Sequence, residues 1–203
     1  MHLIALVGAD GMGKTTQAQR LTDRLVARGY RATCVRPVFL LFDPWRLRDR
    51  GAPVPRLSPR TARMKGNGGR AGRVAPVLGY AYAMLTYAYI RTFLRRHEFV
   101  VCDRYFYQYF YDLAGRSARN LARSFPKPDL VLWLDGAMDV LLGRIDPAPK
   151  NPAEAAYFED VLEFYRGLAS DLGFVRIDAG ADETSIGDRI WDALIRGVGP
   201  RTG

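Results

Sequence analysis

The sequence predicts an α/β protein in which a five-stranded parallel sheet lies between two layers of helices, with residues 1–203 as a single domain. Three observations predict it. Short apolar runs such as Leu3–Val7, Phe99–Cys102 and Leu130–Leu134 lack polar alternation, as expected of parallel strands buried on both faces. Stretches with helical periodicity separate these runs, which is the pattern of repeated βαβ units. The first run leads directly into Gly8, Gly13, Lys14 and Thr15 at the spacing G-x-x-x-x-G-K-[ST], and a helical pattern follows at once.

That third observation narrows the class to a three-layer α/β/α P-loop NTPase fold. Glycines let the loop curl until its N–H groups converge on a phosphate, and the helix N-terminus adds partial positive charge. The whole loop Gly8-Ala9-Asp10-Gly11-Met12-Gly13-Lys14-Thr15-Thr16 is therefore a candidate triphosphate cradle. Lys14 has the reach to meet the terminal phosphates, and the Thr15 hydroxyl can ligand Mg²⁺. A nucleoside triphosphate and Mg²⁺ are therefore the expected ligands of this loop.

Taken in order, residues 2–7 are the first strand and residues 14–28 a helix with Ala18, Leu21, Leu25 and Val26 inward, stopped at Gly29. Residues 31–36 are a second strand, ended by Pro37. Residues 38–75 read as an irregular insertion rich in proline and glycine, and a loop of this length in a compact domain is usually functional or disordered. Much of the net charge of +9 lies in its segment 46–73. That segment suits a solvated loop, a clamp for an anionic acceptor, or a nucleic-acid surface. Arg60, Arg63, Lys65 and Arg70 are its candidate phosphate-binding cations.

Residues 74–97 read as one helix, uncharged from Val74 to Ile90. That run is short for a bilayer, and Pro76 and Gly79 interrupt it, so a soluble core helix is expected and no membrane contact. Tyr80, Met84, Tyr87 and Arg91 share one face, and Tyr82, Thr86 and Tyr89 another. The rings either pack in the core or line an acceptor pocket.

Residues 99–102 form the third strand, ending in Asp103-Arg104-Tyr105. Charges at the C-terminal end of a buried parallel strand occupy the ligand-binding edge of an open sheet. Asp103 can hold the water shell of Mg²⁺ and Arg104 can neutralise a phosphate, unless the two merely pair with each other. Residues 105–111 then read as a helix beside the pocket, and 116–125 as a short basic helix. The fourth strand, 130–134, ends at Asp135, which suits a helix cap as well as a ligand-side role. Helices follow at 137–144, 153–172 and 182–198, with a strand at 174–177 and a proline-broken flap at 146–152 that cannot be helical. Cys34 and Cys102 sit in strand-like runs and read as reduced thiols. The N-terminus enters a strand directly, so no cleavable leader is expected and the protein is expected in the cytoplasm.

Together these features resemble the thymidylate kinase family of P-loop nucleoside-monophosphate kinases. Gly8 to Thr16 looks like its phosphate loop, including the acidic Asp10, and Asp103-Arg104-Tyr105 looks like its D-R-[YFH] motif. Pro128-Asp129-Leu130-Val131-Leu132-Trp133-Leu134-Asp135 is similar to its P-D-L-x-x-x-L-D strand, and residues 145–152 fall where it has a lid. The resemblance implies a kinase that passes the γ-phosphate of ATP to a small acceptor, dTMP by default. It implies that Lys14 and Arg144 bind triphosphate oxygens, and that Thr15 ligands Mg²⁺ with Asp103 behind its waters. It places Asp10 near the acceptor sugar and Arg104 on an acceptor phosphate, and it implies a homodimer.

The chain also departs from the pattern. Arg36-Pro37-Val38-Phe39 replaces an E-P-G-G-T-like segment, Tyr82 or a neighbour stands where an acceptor-phosphate arginine is expected, and the flap offers only Lys150. The acceptor side is therefore assigned to Asp10, Arg104, Tyr105, Tyr82 and Arg63. A kinase of another acceptor (a nucleoside, a sugar or a biosynthetic intermediate) is the alternative, and a nucleotide-dependent nucleic-acid-binding protein a more distant one.

Overall fold

A computed structural model describes residues 1–40, 70–144 and 152–199. Most of the basic segment 46–73, Arg63 included, and the flap at 145–151 lie outside the described residues.

Five parallel strands form one sheet: β1 (His2–Val7), β2 (Ala32–Val35), β3 (Phe99–Asp103), β4 (Leu130–Asp135) and β5 (Val175–Asp178). Their order is β2-β3-β1-β4-β5. The three inner strands are β1, β3 and β4, whose apolar runs are almost wholly buried, whereas the edges β2 and β5 are not. Continuous hydrophobicity marks a strand covered on both faces, as the sequence pattern requires. The chain leaves β1 for one side of the sheet and later crosses to the other, so the loop after β1 sits at the topological switch point.

The described helices are α1 (Lys14–Val26), α2 (Arg70–Phe93), α3 (Phe106–Ala114), α4 (Ala118–Ser124), α5 (Met138–Arg144), α6 (Pro152–Leu172) and α7 (Glu183–Val198). Helix α1 packs on α7, while α2, α3, α4 and α6 neighbour one another in turn. Gly29, with φ of 85°, closes α1 as expected, and Tyr30 N–H bonds back to the Leu25 carbonyl at 3.2 Å. Asp182 caps α7 by accepting from the Thr184 and Ser185 amides at 3.1 and 3.0 Å.

Several expectations are corrected. Val26 is 53% exposed, because Ala18, Leu21 and Leu25 complete the inward stripe and the next residue rotates off it. Residues 70–75, expected to be irregular, are helical, and Pro37–Phe39 form a short 3₁₀ turn. Pro152 begins α6, since a proline at the first helical position loses no hydrogen bond.

One face of α2 takes the core reading of its tyrosines. Tyr80 and Tyr87 join Tyr105, Phe106 and Phe110 around Phe125, with ring centroids 5.0 to 6.0 Å from the Phe125 ring. Gly79 allows this approach: a Cβ there would stand 2.2 Å from Leu113 Cδ1 of α3. Tyr89 instead stacks on the exposed Phe93, and Met84 is exposed. Cys34 and Cys102 are both free thiols. Among the described residues no helix is long and apolar enough to cross a membrane.

Candidate active site

The loop after β1 is built on three glycines with positive φ: Gly8 at 139°, Gly11 at 87° and Gly13 at 79°. L side chains strongly disfavour these conformations. At Gly8 the space is also closed, because a Cβ would lie 2.4 Å from the Leu134 carbonyl oxygen of β4. The loop is thus pressed between strands and turned so that α1 begins immediately at Lys14. Met12 is fully buried, with its sulfur 3.0 Å from where a Cβ on Gly136 would sit.

Lys14 is folded back into this loop. Its Nζ donates to the Ala9 carbonyl at 2.5 Å and pairs with Asp10 Oδ1 at 3.3 Å. Burial pulls the ammonium down to about 8, despite the opposing pull of Asp10. For Asp10 burial acts in the raising direction, but the charges of Lys14 and Arg104 outweigh it and hold the carboxyl far below the usual carboxylate range.

Arg104 follows β3 and has a left-handed backbone, φ 72°, unusual for a non-glycine residue. The turn carries its side chain to Asp10, with Nη2 2.7 Å from Oδ1, while Nη1 stays 3.8 Å from Asp103 Oδ1. The expected alternative, a pair between Asp103 and Arg104 alone, therefore gives way to a bridge reaching back into the phosphate loop. Asp103 is 2% exposed. Thr15 Oγ1 donates to its Oδ2 at 3.0 Å, and its Oδ1 is buried without a hydrogen-bond partner. A buried carboxylate oxygen with open acceptor capacity beside a hydroxyl is a donor set that fits a hydrated Mg²⁺.

Sequence reasoning missed Arg36. From the end of β2 its Nε reaches Asp103 Oδ2 at 2.5 Å, and its Nη2 donates to Thr15 Oγ1 at 3.0 Å. A lone arginine before a proline carries no motif; only the pairing of β2 beside β3 brings it here.

The remaining sequence-assigned residues separate. Arg144, at the end of α5, donates to the Ala179 carbonyl at 2.8 Å, in the turn after β5. Tyr105 is 1% exposed and donates to the Pro126 carbonyl at 2.8 Å, so the structure puts it in the aromatic core rather than beside Arg104. Tyr82 donates to the Val38 carbonyl at 2.8 Å and meets the Tyr109 ring edge-on at 6.1 Å, which ties α2 to the segment just after Arg36. Asp135 pairs with Arg176 of β5 at 2.7 Å, a role that neither sequence alternative foresaw. Thr16 is exposed at the start of α1.

No protein-family model matches the chain. It is similar to a thymidylate kinase of Synechococcus sp. (strain JA-3-3Ab), 29% identical with 94% of each chain covered. A thymidylate kinase of Methylococcus capsulatus is 28% identical with 96% of each chain covered. A third, from Bradyrhizobium sp. (strain ORS 278), is 26% identical over 95% of this chain and 89% of its own. With the glycine loop at the switch point and the Asp103-Arg104 turn beside it, these relatives, similar over 94 to 96% of the chain, support a thymidylate-kinase-like protein and indicate a kinase of the nucleoside-monophosphate type.

Proposed function

We propose that the chain transfers the γ-phosphate of ATP, in the presence of Mg²⁺, to a nucleoside monophosphate, with dTMP the first acceptor to test. The observation that carries this is the convergence of Lys14, Thr15, Asp103 and Arg104 on one glycine loop. Phosphoryl transfer depends mainly on positioning and charge neutralisation, and these residues supply both. Gly8, Asp10, Gly11, Met12, Gly13 and Thr16 complete the cradle, and Lys14 exchanges the Ala9 carbonyl for phosphate oxygens. Arg144 meets the triphosphate from the α5 side. Thr15 and Asp103 would hold Mg²⁺, which would supply neutralisation of triphosphate charge. Asp10 and Arg104 face the acceptor, and Tyr82 and Arg63 are assigned to it as well. Residues 145–152 act as the lid of this single domain, which works in the cytoplasm.

A second acceptor class rests on Tyr82, a tyrosine tied to Val38 where a phosphate-binding arginine is expected. An acceptor without a phosphate needs no cation there. Measuring ADP formation against dTMP, the other nucleoside monophosphates and unphosphorylated nucleosides separates the two. Turnover with dTMP is expected; turnover only with an unphosphorylated acceptor would move the assignment to the second class.

Nucleotide binding also carries a proton signature. Lys14 titrates near 8 in the free protein, below its ordinary 10.5, and phosphate contact favours the charged form. At pH 8 ATP binding is then expected to take up about half a proton. Titration calorimetry in buffers of different ionisation enthalpy reads this directly, and a buffer-independent heat would contradict the assignment.

We assign the partner on the outer face of α2 to a second copy of the chain. Val74, Val77, Leu78 and Leu85 recur at helical spacing and are exposed, Leu85 at 66%. An isologous pairing would cover the same stripe on both copies. Sedimentation is expected to show a dimer that Leu85→Glu converts to monomer; a monomeric wild type would refute it.

A further inference from the structure

Arg36 takes no part in the function above, yet it occupies the middle of the site. Its Nε lies 2.5 Å from Asp103 Oδ2 and its Nη2 3.0 Å from Thr15 Oγ1, while that same hydroxyl donates to Oδ2 at 3.0 Å. The guanidinium, the hydroxyl and the carboxylate therefore close a ring. Two members of the ring are the groups assigned above to the metal. Among the described residues no group of three His, Cys, Asp or Glu could hold a metal ion by itself. The groups assigned to the metal are one hydroxyl and one carboxylate, and in the free protein both already touch the Arg36 guanidinium.

We propose that Arg36 is the resident cation of Thr15 and Asp103, which keeps a divalent metal out of the free protein and yields only when triphosphate oxygens are present. The guanidinium occupies Asp103 Oδ2, and its charge opposes a second cation beside Oδ1, the oxygen left without a hydrogen-bond partner. Triphosphate changes the balance, because its oxygens supply the negative charge and ligands that favour a divalent ion. Arg36 can leave at modest cost. Its side chain is 25% exposed, so it moves toward solvent and the phosphates instead of being stranded as a buried charge. Metal and nucleotide then bind as a unit, and metal alone does not assemble half a site.

This rests on Thr15 and Asp103 being the metal's contacts, so its test uses binding rather than turnover. Mn²⁺ binding to the nucleotide-free full chain is measured by electron paramagnetic resonance for wild type, Arg36→Gln and Arg36→Lys, with folding checked by circular dichroism. Wild type is expected to bind Mn²⁺ alone at least tenfold more weakly than Arg36→Gln. Arg36→Lys, which restores a cation, is expected to stay within threefold of wild type. Should the Gln variant not fold, Arg36→Met replaces it. An unchanged or weaker Mn²⁺ affinity on loss of the charge would overturn the proposal, and so would equal tightening in the Lys variant. ADP formation by the same wild-type preparation keeps two failures apart. If turnover is present but affinity is indifferent to residue 36, the role of Arg36 alone falls. If no Mn²⁺ binds even with ATP and no ADP forms, the kinase function falls with it.

Discussion

Lys14→Ala is expected to lower kcat by about 100- to 1,000-fold, the usual cost of removing one preorganised donor from a developing negative charge. Folding should survive the change. Lys14 is buried, and burial already depresses its ammonium, so the charge is a strain on the free protein as much as a support. Asp10 keeps Arg104 as its partner at 2.7 Å when Lys14 is gone. The melting temperature is therefore expected to move by only a few degrees, as differential scanning calorimetry would show. A variant that is folded and fully active would remove the phosphate loop from the mechanism.

Asp103→Asn is expected to act on metal use and on stability together. The substitution keeps the shape but removes the charge that balances Arg36 and faces Arg104. Leaving Arg36 without its carboxylate should destabilise the fold by roughly 1–3 kcal/mol, toward the lower end because the guanidinium is partly solvated. In a Mg²⁺ titration at fixed ATP, the half-activating concentration should rise about tenfold and kcat should fall by a similar factor. An unchanged Mg²⁺ requirement would take Asp103 out of the metal site and leave it as a strand-end partner of Arg36.

These two residues were legible in the chain for different reasons. Lys14 belongs to a contiguous motif whose glycines, strand and helix are all local. Asp103 was readable because a charge that closes a buried apolar run must sit at the ligand edge of a parallel sheet. Arg36 was not readable. Its meaning depends on β2 lying beside β3, and those strands are separated by the 38–75 segment and the whole of α2. Tyr105 misled for a related reason. The left-handed turn at Arg104 breaks the strand alternation, sending Arg104 out to Asp10 and Tyr105 back to Phe125. The inner strands β1, β3 and β4 came through almost to the residue, because continuous burial leaves a continuous apolar run. Element ends were less legible: α2 begins at Arg70, a turn ahead of the first uninterrupted apolar stretch.

Arg36 also alters the balance of the site. Three cations, Lys14, Arg36 and Arg104, meet two carboxylates, Asp10 and Asp103, through contacts of 2.5 to 3.8 Å. The free site therefore holds its charges in mutual pairs, with one positive charge in excess to draw phosphate. Every pair includes a residue assigned to donor, metal or acceptor, so nucleotide binding must exchange internal partners for ligand oxygens.

The measurement that tests the kinase assignment most directly follows the phosphorus atom. Wild-type protein is incubated with ATP, Mg²⁺ and dTMP and watched by ³¹P NMR. Transfer to the acceptor is expected to appear as paired β-phosphate signals of ADP and dTDP growing at equal rates. ATP loss with release of inorganic phosphate and no dTDP, or no reaction with any small acceptor, would contradict it.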